Sequence, residues 1–433
     1  MATKPGAYKR LIVLCDGTWQ NVLSGDKKSH PTNVARLARC ISPVARVKEK
    51  DGTIREIEQI VYYQAGVGTG AGDRLRGGAY GMGISSNIRS SYGFLAHNYD
   101  PNPGDEIFFF GFSRGAFTAR SIAGLVTKLG LLTKRGMDYF PEVYDEFYKD
   151  PGSTPDFNFS EGLLKKIGTD RIAKAKYAVK LVGVWDTVEF HGEGMSGEKI
   201  EFHNAELSPK IQYAYHALAL DERRTPYVPT LWQWPSGYVP ASDGTGLQVM
   251  KQVWFSGVHS DVGGGKYDPN CSDVTLAWMI AQCHKDGKLS FTDEDPVNPD
   301  DANEYYLLPD RLKKNTNTKW TRLAKASEPD PLDTFWDSAW GKIQSWSSQD
   351  RKALILDNTQ EKIHRSIRDR DLKAWPCPLL DGTQQKGAWG LKMPGKGGKA
   401  LQEAEPDPVA DAIEEKYINR IRPSPSQKGA TKL

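Results

Sequence analysis

The sequence predicts an α/β protein with a mostly parallel central sheet flanked by helices. Three observations lead there. Short, continuous apolar runs of strand length recur through the first two thirds of the chain. Runs that are apolar at every position suit strands buried on both faces of a parallel sheet. Segments with helical spacing alternate with them, as βαβ units require. Each run stops at glycine or a small polar residue, and ligands of such sheets bind outside the carboxyl ends of the strands.

Arg10–Cys15 is the first clear strand and stops at Asp16-Gly17-Thr18. Ile60–Tyr63 is the second, ahead of the glycine-rich stretch Gly66–Gly72. Ile84, Ile88, Tyr92 and Leu95 recur at helical spacing and predict a helix from about Gly83 to His97. The turn cluster Pro101-Asn102-Pro103-Gly104 separates it from a strand at Glu106–Phe110. A helix from Arg114 to about Lys128 and a strand at Val179–Trp185 come next. Leu207, Ile211, Ala214 and Leu218 predict a helix ending near Asp221. A strand at Gln252–Ser256 and a helix through Val274, Ala277, Trp278 and Ala281 complete the alternation.

From Asp286 the character changes. Asp293–Glu304 holds six acids and no Lys or Arg, and reads as a solvated loop because calcium-loop spacing is missing. Six of the 12 Trp lie between Trp320 and Trp389, which makes this extension Trp-rich. Phe335-Trp336, Trp340 and Ile343 share a helical face, expected to pack over the sheet, with a lid or lipid-facing edge as the alternative. A short helix at Val409–Ile421 and a disordered tail at 423–433 follow. The expected organisation is a core over 1–285, an extension over 286–422 packed on it, and the tail.

A chain of 433 residues, 39% hydrophobic, can bury a core without disulfide or metal staples. The 57 basic and 54 acidic residues leave +3, and no block of like charge suggests a nucleic-acid surface, so nucleic acid is not an expected partner. Five scattered Cys, none in a C-x-x-C pair, read as reduced thiols. With no secretory signal and no run of membrane-spanning length, they favour the cytoplasm. Thr431-Lys432-Leu433 loosely resembles the S-K-L signal and makes the peroxisome the lesser alternative.

Gly111-Phe112-Ser113-Arg114-Gly115 fits G-x-S-x-G between a Phe-rich strand and a small-residue helix. That setting is what a nucleophile elbow needs: glycines allow the sharp turn, and the turn lifts the serine hydroxyl clear of the sheet. It also aims the next amide, that of Arg114, at a developing oxyanion. A serine nucleophile requires a base and an orienting acid, in the chain order Ser, Asp/Glu, His for this architecture.

Of eight His, His30 and His97 precede the elbow. His259 sits in the glycine-rich Gly257–Gly265 loop after a strand and is the favoured base; His191, His284 and His364 are alternatives, while His203 and His216 look structural. Asp186, at the end of a strand and between Ser113 and His259, is the favoured acid, with Asp221 and Asp261 as rivals. Asp221, followed by Glu222-Arg223-Arg224, reads as an ion-pair residue with Arg223 or Arg224 as partner. On this reading Asp186→Asn loses turnover at little cost in stability, and Asp221→Asn does the reverse.

Asp16-Gly17-Thr18 resembles the tail of the haloacid-dehalogenase signature, but Leu14 stands where the nucleophilic Asp belongs, which argues against aspartyl-phosphate chemistry. The loop is expected to supply a second oxyanion amide, from Gly17 or Thr18. Gly66–Gly72 lacks phosphate-loop spacing and reads as a wall or lid loop.

Taken together, Leu14–Asn21, Gly66–Thr69, Gly111–Ala116, Gly183–Val188, Leu220–Arg224 and Gly257–Gly265 resemble the α/β-hydrolase-fold family that includes the catalytic domain of type VI secretion phospholipase effectors. The resemblance implies an α/β-hydrolase fold and a triad that maps onto Ser113, Asp186 and His259. It implies hydrolysis of carboxylic esters, lipids among them. The expected function is that of a serine esterase or lipase with no cofactor and no metal, acting on a small-molecule or lipid ester; the alternatives are a non-catalytic binding module on the same fold, or acyl transfer or amide hydrolysis by the same triad. It has no transmembrane segment and leaves room for transient membrane contact.

Overall fold

The continuous apolar runs become the inner strands of one sheet. In the computed structural model the described residues fall in the segments 3–17, 31–66, 80–149, 157–188, 207–292 and 351–421, with short interruptions. Their elements, in order, are β1 (Thr3–Pro5), β2 (Arg10–Cys15), α1 (Asn33–Cys40), β3 (Val44–Lys48), β4 (Ile54–Gln64), α2 (Tyr80–Asn98), β5 (Glu106–Phe112) and α3 (Arg114–Leu129). There follow β6 (Leu131–Leu132), α4 (Phe140–Lys149), α5 (Glu161–Ile167), β7 (Ile172–Ala173), β8 (Val179–Trp185), β9 (Ile211–Ala219), β10 (Val249–Phe255), α6 (His259–Gly263) and α7 (Asn270–His284). The last are β11 (Glu361–Ile363), β12 (Leu380–Gln385), β13 (Ala388–Gly395), β14 (Gly398–Gln402) and α8 (Pro408–Ile421).

The main sheet runs β1-β4-β2-β5-β8-β9-β10-β11, with every neighbouring pair on that path parallel and β3 antiparallel on β4. Alternate residues of the inner strands face opposite layers. Leu11, Val13, Phe109 and Val182 pack with Ile88 and Tyr92 of α2 and Ile122 of α3. Ile12, Leu14, Phe108, Phe110 and Trp185 pack with Leu37 of α1 and Leu276 and Met279 of α7. Both faces are therefore dry, which is why these strands carry no polar alternation. Each fully buried Phe of β5 contributes about 2–3 kcal/mol.

The helix expected through Leu207 and Leu218 is instead the strand β9, held between β8 and β10 with Val182 opposite Ala214 and Ala214 opposite Met250. The spacing of Leu207, Ile211, Ala214 and Leu218 suits a helix, but the same stretch also alternates at Tyr213, Tyr215, Ala217 and Ala219. Two flanking strands satisfy its backbone, and tertiary pairing overrides the helical period.

The chain beyond 286 supplies a strand of the main sheet, because β11 pairs with β10. A third apolar cluster joins Leu218 and Trp254 to Ile363, Trp389 and Leu401, seating the β12-β13-β14 meander against that edge. Helix α8 packs on α7, where Asp407 just before it pairs with Lys285 at 2.7 Å. Among the described residues no helix is long and apolar enough to cross a membrane. Thr18, His30, His191, His203, the glycine-rich stretch beyond Gly66, the acidic run, the Trp336–Ile343 face and the tail lie outside the described residues.

Gly115, in the first turn of α3, fixes how that helix meets β2. An added Cβ there would lie 2.3 Å from the carbonyl oxygens of both Cys15 and Asp16. Backbone of a central strand cannot yield, so Gly115→Ala is expected to cost about 3 kcal/mol, read as a lower urea midpoint. An Ala variant of wild-type stability would mean that α3 is seated differently.

Candidate active site

Ser113 directly follows β5 and caps α3. Its φ of 59° and ψ of −127° are a backbone conformation that L-residues rarely adopt. Such strain, on the order of 1–3 kcal/mol, persists only where the surroundings over-determine it. Here the Ser113 N–H donates to Trp185 O at 3.1 Å, extending the β5–β8 ladder by one bond, and Ser113 O accepts from Phe117 N–H at 3.2 Å. Arg114 opens the 16-residue helix at the positive end of its dipole.

Asp186 ends β8, beside β5, and is itself in the left-handed region at φ 42°. His259 opens α6 after β10. The parallel order β5-β8-β9-β10 brings all three strand ends to one edge. His259 Nδ1 lies 2.6 Å from Asp186 Oδ2. An ionised carboxylate can only accept, so Nδ1 carries the hydrogen and Nε2 is left as the proton acceptor. The Phe112 ring, next to Ser113 in the chain, lies against the His259 imidazole with centroids 4.6 Å apart. Gly263 makes that approach possible: a Cβ there would fall 2.0 Å from the Phe112 ring.

The Asp186 carboxylate is fully buried, and all its lone pairs are filled. Oδ1 accepts from Ala219 N–H at 3.0 Å and Arg351 Nη1 at 2.5 Å; Oδ2 accepts from His259 and from Arg351 Nη2 at 2.8 Å. Burial pushes its pKa up, but the Arg351 guanidinium and the His259 bond outweigh it and hold the carboxyl well below the usual range. Burial lowers the His259 pKa, opposed by Asp186.

The Asp221-Glu222-Arg223-Arg224 block divides its work. Glu222 Oε2 accepts from the His259 backbone N–H at 3.2 Å and pairs with Arg224 at 2.8 Å. Burial would raise its pKa, yet the Arg224 contacts bring it down to about 2. Arg224 stacks on Tyr227, whose ring meets His259 edge-on at 4.7 Å. Asp221 does not pair with Arg223 or Arg224 as expected. Arg370 reaches both its oxygens, at 2.7 and 2.9 Å, and Gly257 N–H donates to it at 2.6 Å. It braces the root of the His259 loop.

Asp261 Oδ2 accepts from Val258 N–H at 3.0 Å, and Oδ1 lies 3.3 Å from Lys266, so it too braces that loop. His216 is buried on β9, its Nδ1 against Gln252 and its Nε2 accepting from Thr187 N–H. Burial and the Arg120 charge take its pKa to about 3. His364 stacks on Phe255, and His97 is an exposed residue of α2.

On the side of β5 opposite β8, Asp16 directly follows β2. Gly17 N–H, expected to face an oxyanion, donates instead to Asp16 Oδ1 at 2.7 Å, because the adjacent carboxylate captures it. Thr32 Oγ1 donates to the same oxygen at 2.7 Å and Tyr63 OH to Oδ2 at 2.5 Å. Burial raises the Asp16 pKa to about 6 against these three bonds.

With this geometry in hand, comparison with known proteins is informative. Residues 9–282 match the family described as T6SS, phospholipase effector Tle1-like, catalytic domain. The chain belongs to this family. An uncharacterised protein of Saccharomyces cerevisiae is 28% identical over 252 residues, covering 52% of this chain and 34% of the yeast protein. A Tle1 effector solved bound to the VgrG spike of the type 6 secretion system aligns with a TM-score of 0.31 and 19% identity, over 60% of this chain and 51% of that one. An uncharacterised Pseudomonas aeruginosa protein aligns with a TM-score of 0.33 and 16% identity, over 64% and 46%. The chain thus spans about a third of the yeast protein and about half of each structural relative.

Arg351 lies outside the family match and was not legible as a site residue: it is one Arg in a polar stretch, 165 residues from Asp186. It also changes what Asp186→Asn does. Removing one partner of a buried pair costs about 3–5 kcal/mol. Urea unfolding of Asp186→Asn should therefore show a large loss of stability in place of the small one expected from strand-end placement. Asp221→Asn should also lose stability, through Arg370.

Asp16 gives a pH-linked prediction. Its folded pKa of about 6 exceeds the unfolded 3.8, so the folded state holds the proton longer. Stability from this group is present below about pH 4 and is lost as pH rises through about 6. Asp16→Asn removes that loss. Between about pH 4 and pH 7, wild-type stability relative to Asp16→Asn should fall by about 2–3 kcal/mol in parallel denaturant titrations. A pH-independent difference would mean that the carboxylate ionises normally.

Proposed function

We propose that the chain is a serine hydrolase of carboxylic esters, of lipase or phospholipase type, acting through Ser113, His259 and Asp186. The observation that carries this reading is the 2.6 Å bond from His259 to Asp186, at the strand edge that also bears the strained Ser113. Membership of a phospholipase-effector catalytic family supports a lipid ester as the substrate class.

His259 Nε2 takes the Ser113 hydroxyl proton as Oγ attacks the ester carbonyl, and returns it to the leaving alcohol. Water then repeats the sequence on the acyl-enzyme. Asp186 holds the tautomer and balances the imidazolium. The Arg114 amide, at the positive end of α3, receives the oxyanion. With Gly17 N–H engaged by Asp16, the Thr18 amide is the second donor of this reading. Losing one such donor costs roughly 3–4 kcal/mol in the barrier.

A fluorophosphonate probe should label the wild type and not Ser113→Ala. Turnover of His259→Ala should fall to the Ser113→Ala level, since triad members act as a unit. Because burial lowers the His259 pKa, the acid limb of kcat/KM should lie below the ordinary histidine value of 6.5. A folded wild type that resists the probe would assign the chain to a binding role instead, and a Ser113→Ala variant that takes it up would move the nucleophile to another residue.

A further inference from the structure

Arg351 occupies a place that a triad does not need for its chemistry. Its side chain is 2% exposed and that of Asp186 is 0%. All four of its terminal N–H groups are engaged. Nη1 donates to Asp186 Oδ1 and to Ala219 O at 2.9 Å; Nη2 donates to Asp186 Oδ2 and to Tyr227 O at 2.5 Å. Two of these bonds tie the carboxylate, and two tie the end of β9 and the residue whose ring touches His259. A planar fork of this kind matches a carboxylate in two places at once, which an ammonium cannot do.

We infer that Arg351, contributed from beyond the matched family domain, is a positioning residue of the site: it fixes Asp186 in the one rotamer that meets His259 and offsets its charge. This rests on the triad reading above. Asp186 alone would draw His259 toward its protonated form, in which it cannot accept the Ser113 proton. With the guanidinium on the same oxygen that His259 touches, much of that pull is cancelled.

Two other charges act on His259: Glu222 favours its protonated form and Arg224 opposes it. Glu222 after β9 is itself paired with Arg224, and Asp261 on α6 with Lys266. Tyr227 and Phe112 present only ring faces and edges. His216, on the far side of Asp186, is held neutral by burial and Arg120.

The test uses the full chain and the rate of fluorophosphonate labelling as a function of pH, with p-nitrophenyl butyrate turnover alongside. Arg351→Met should move the acid limb of both profiles up by about one pH unit and lower the plateau about tenfold or more. Arg351→Lys keeps the charge and loses the fork, so its limb should stay near wild type while its plateau falls. Arg351→Ala should regain part of the plateau, and the wild-type limb, on adding guanidinium.

Loss of melting temperature is common to any role for a buried arginine and decides nothing. A folded Arg351→Met with wild-type limb and plateau overturns the inference and leaves the triad standing. If Arg351→Met does not fold, Arg351→Lys decides: a wild-type plateau there means the fork is not required. Equal labelling of wild type and Ser113→Ala removes the triad reading itself, and the role of Arg351 with it.

Discussion

The Asp186 carboxylate is where three distant parts of the chain are made to agree. A fully buried charge costs several kcal/mol unless every lone pair finds a donor. Asp186 meets that demand with the Ala219 amide, the His259 imidazole and the Arg351 guanidinium. Each donor comes from a different segment, so the strand order, the glycine-rich loop and the chain beyond 286 must all be in place for the charge to be tolerated. The strain at Ser113 rides on the same frame, through its bond to the carbonyl of Trp185, one residue before Asp186.

Around His259 the protein repeats one device. Asp186 is matched by Arg351, Glu222 by Arg224 and Asp221 by Arg370, each within 2.5–2.9 Å. Carboxylates supply geometry, as hydrogen-bond acceptors that pin loops, while the guanidinium groups remove the net charge those acceptors would bring. His259 is thereby oriented by two acidic residues without being surrounded by an acidic field.

Much of this was legible in the sequence, for physical reasons. Strands dry on both faces announce themselves as unbroken apolar runs, and Val179–Trp185 was read to the residue. The sharp turn at Ser113 was legible because glycines on either side of a residue between strand and helix favour it. The contact of His259 with Asp186 followed from chain order and strand-end placement. What was not legible was decided by tertiary pairing. Strand β9 carries two periodicities, and only its neighbours choose between them. Asp221 has arginines beside it in sequence yet bonds to Arg370. Gly17 was read as an oxyanion donor because the position of the Asp16 carboxylate cannot be seen from a D-G-T string.

Strand β11 makes one edge of the sheet depend on a distant part of the chain. Its ladder with β10, and the bond from the Trp254 indole to Glu361, join residues 107 to 109 apart in the chain. Closing a loop of that length costs about 2 kcal/mol more than closing one of ten residues, and contacts so distant slow folding. The β2–β5 ladder at the centre of the sheet joins residues 96 apart, nearly as far, but it is buried on both faces. Three residues of backbone hold β11, as they hold β1 at the opposite edge, so these two edges are the parts of the sheet that open first in hydrogen exchange.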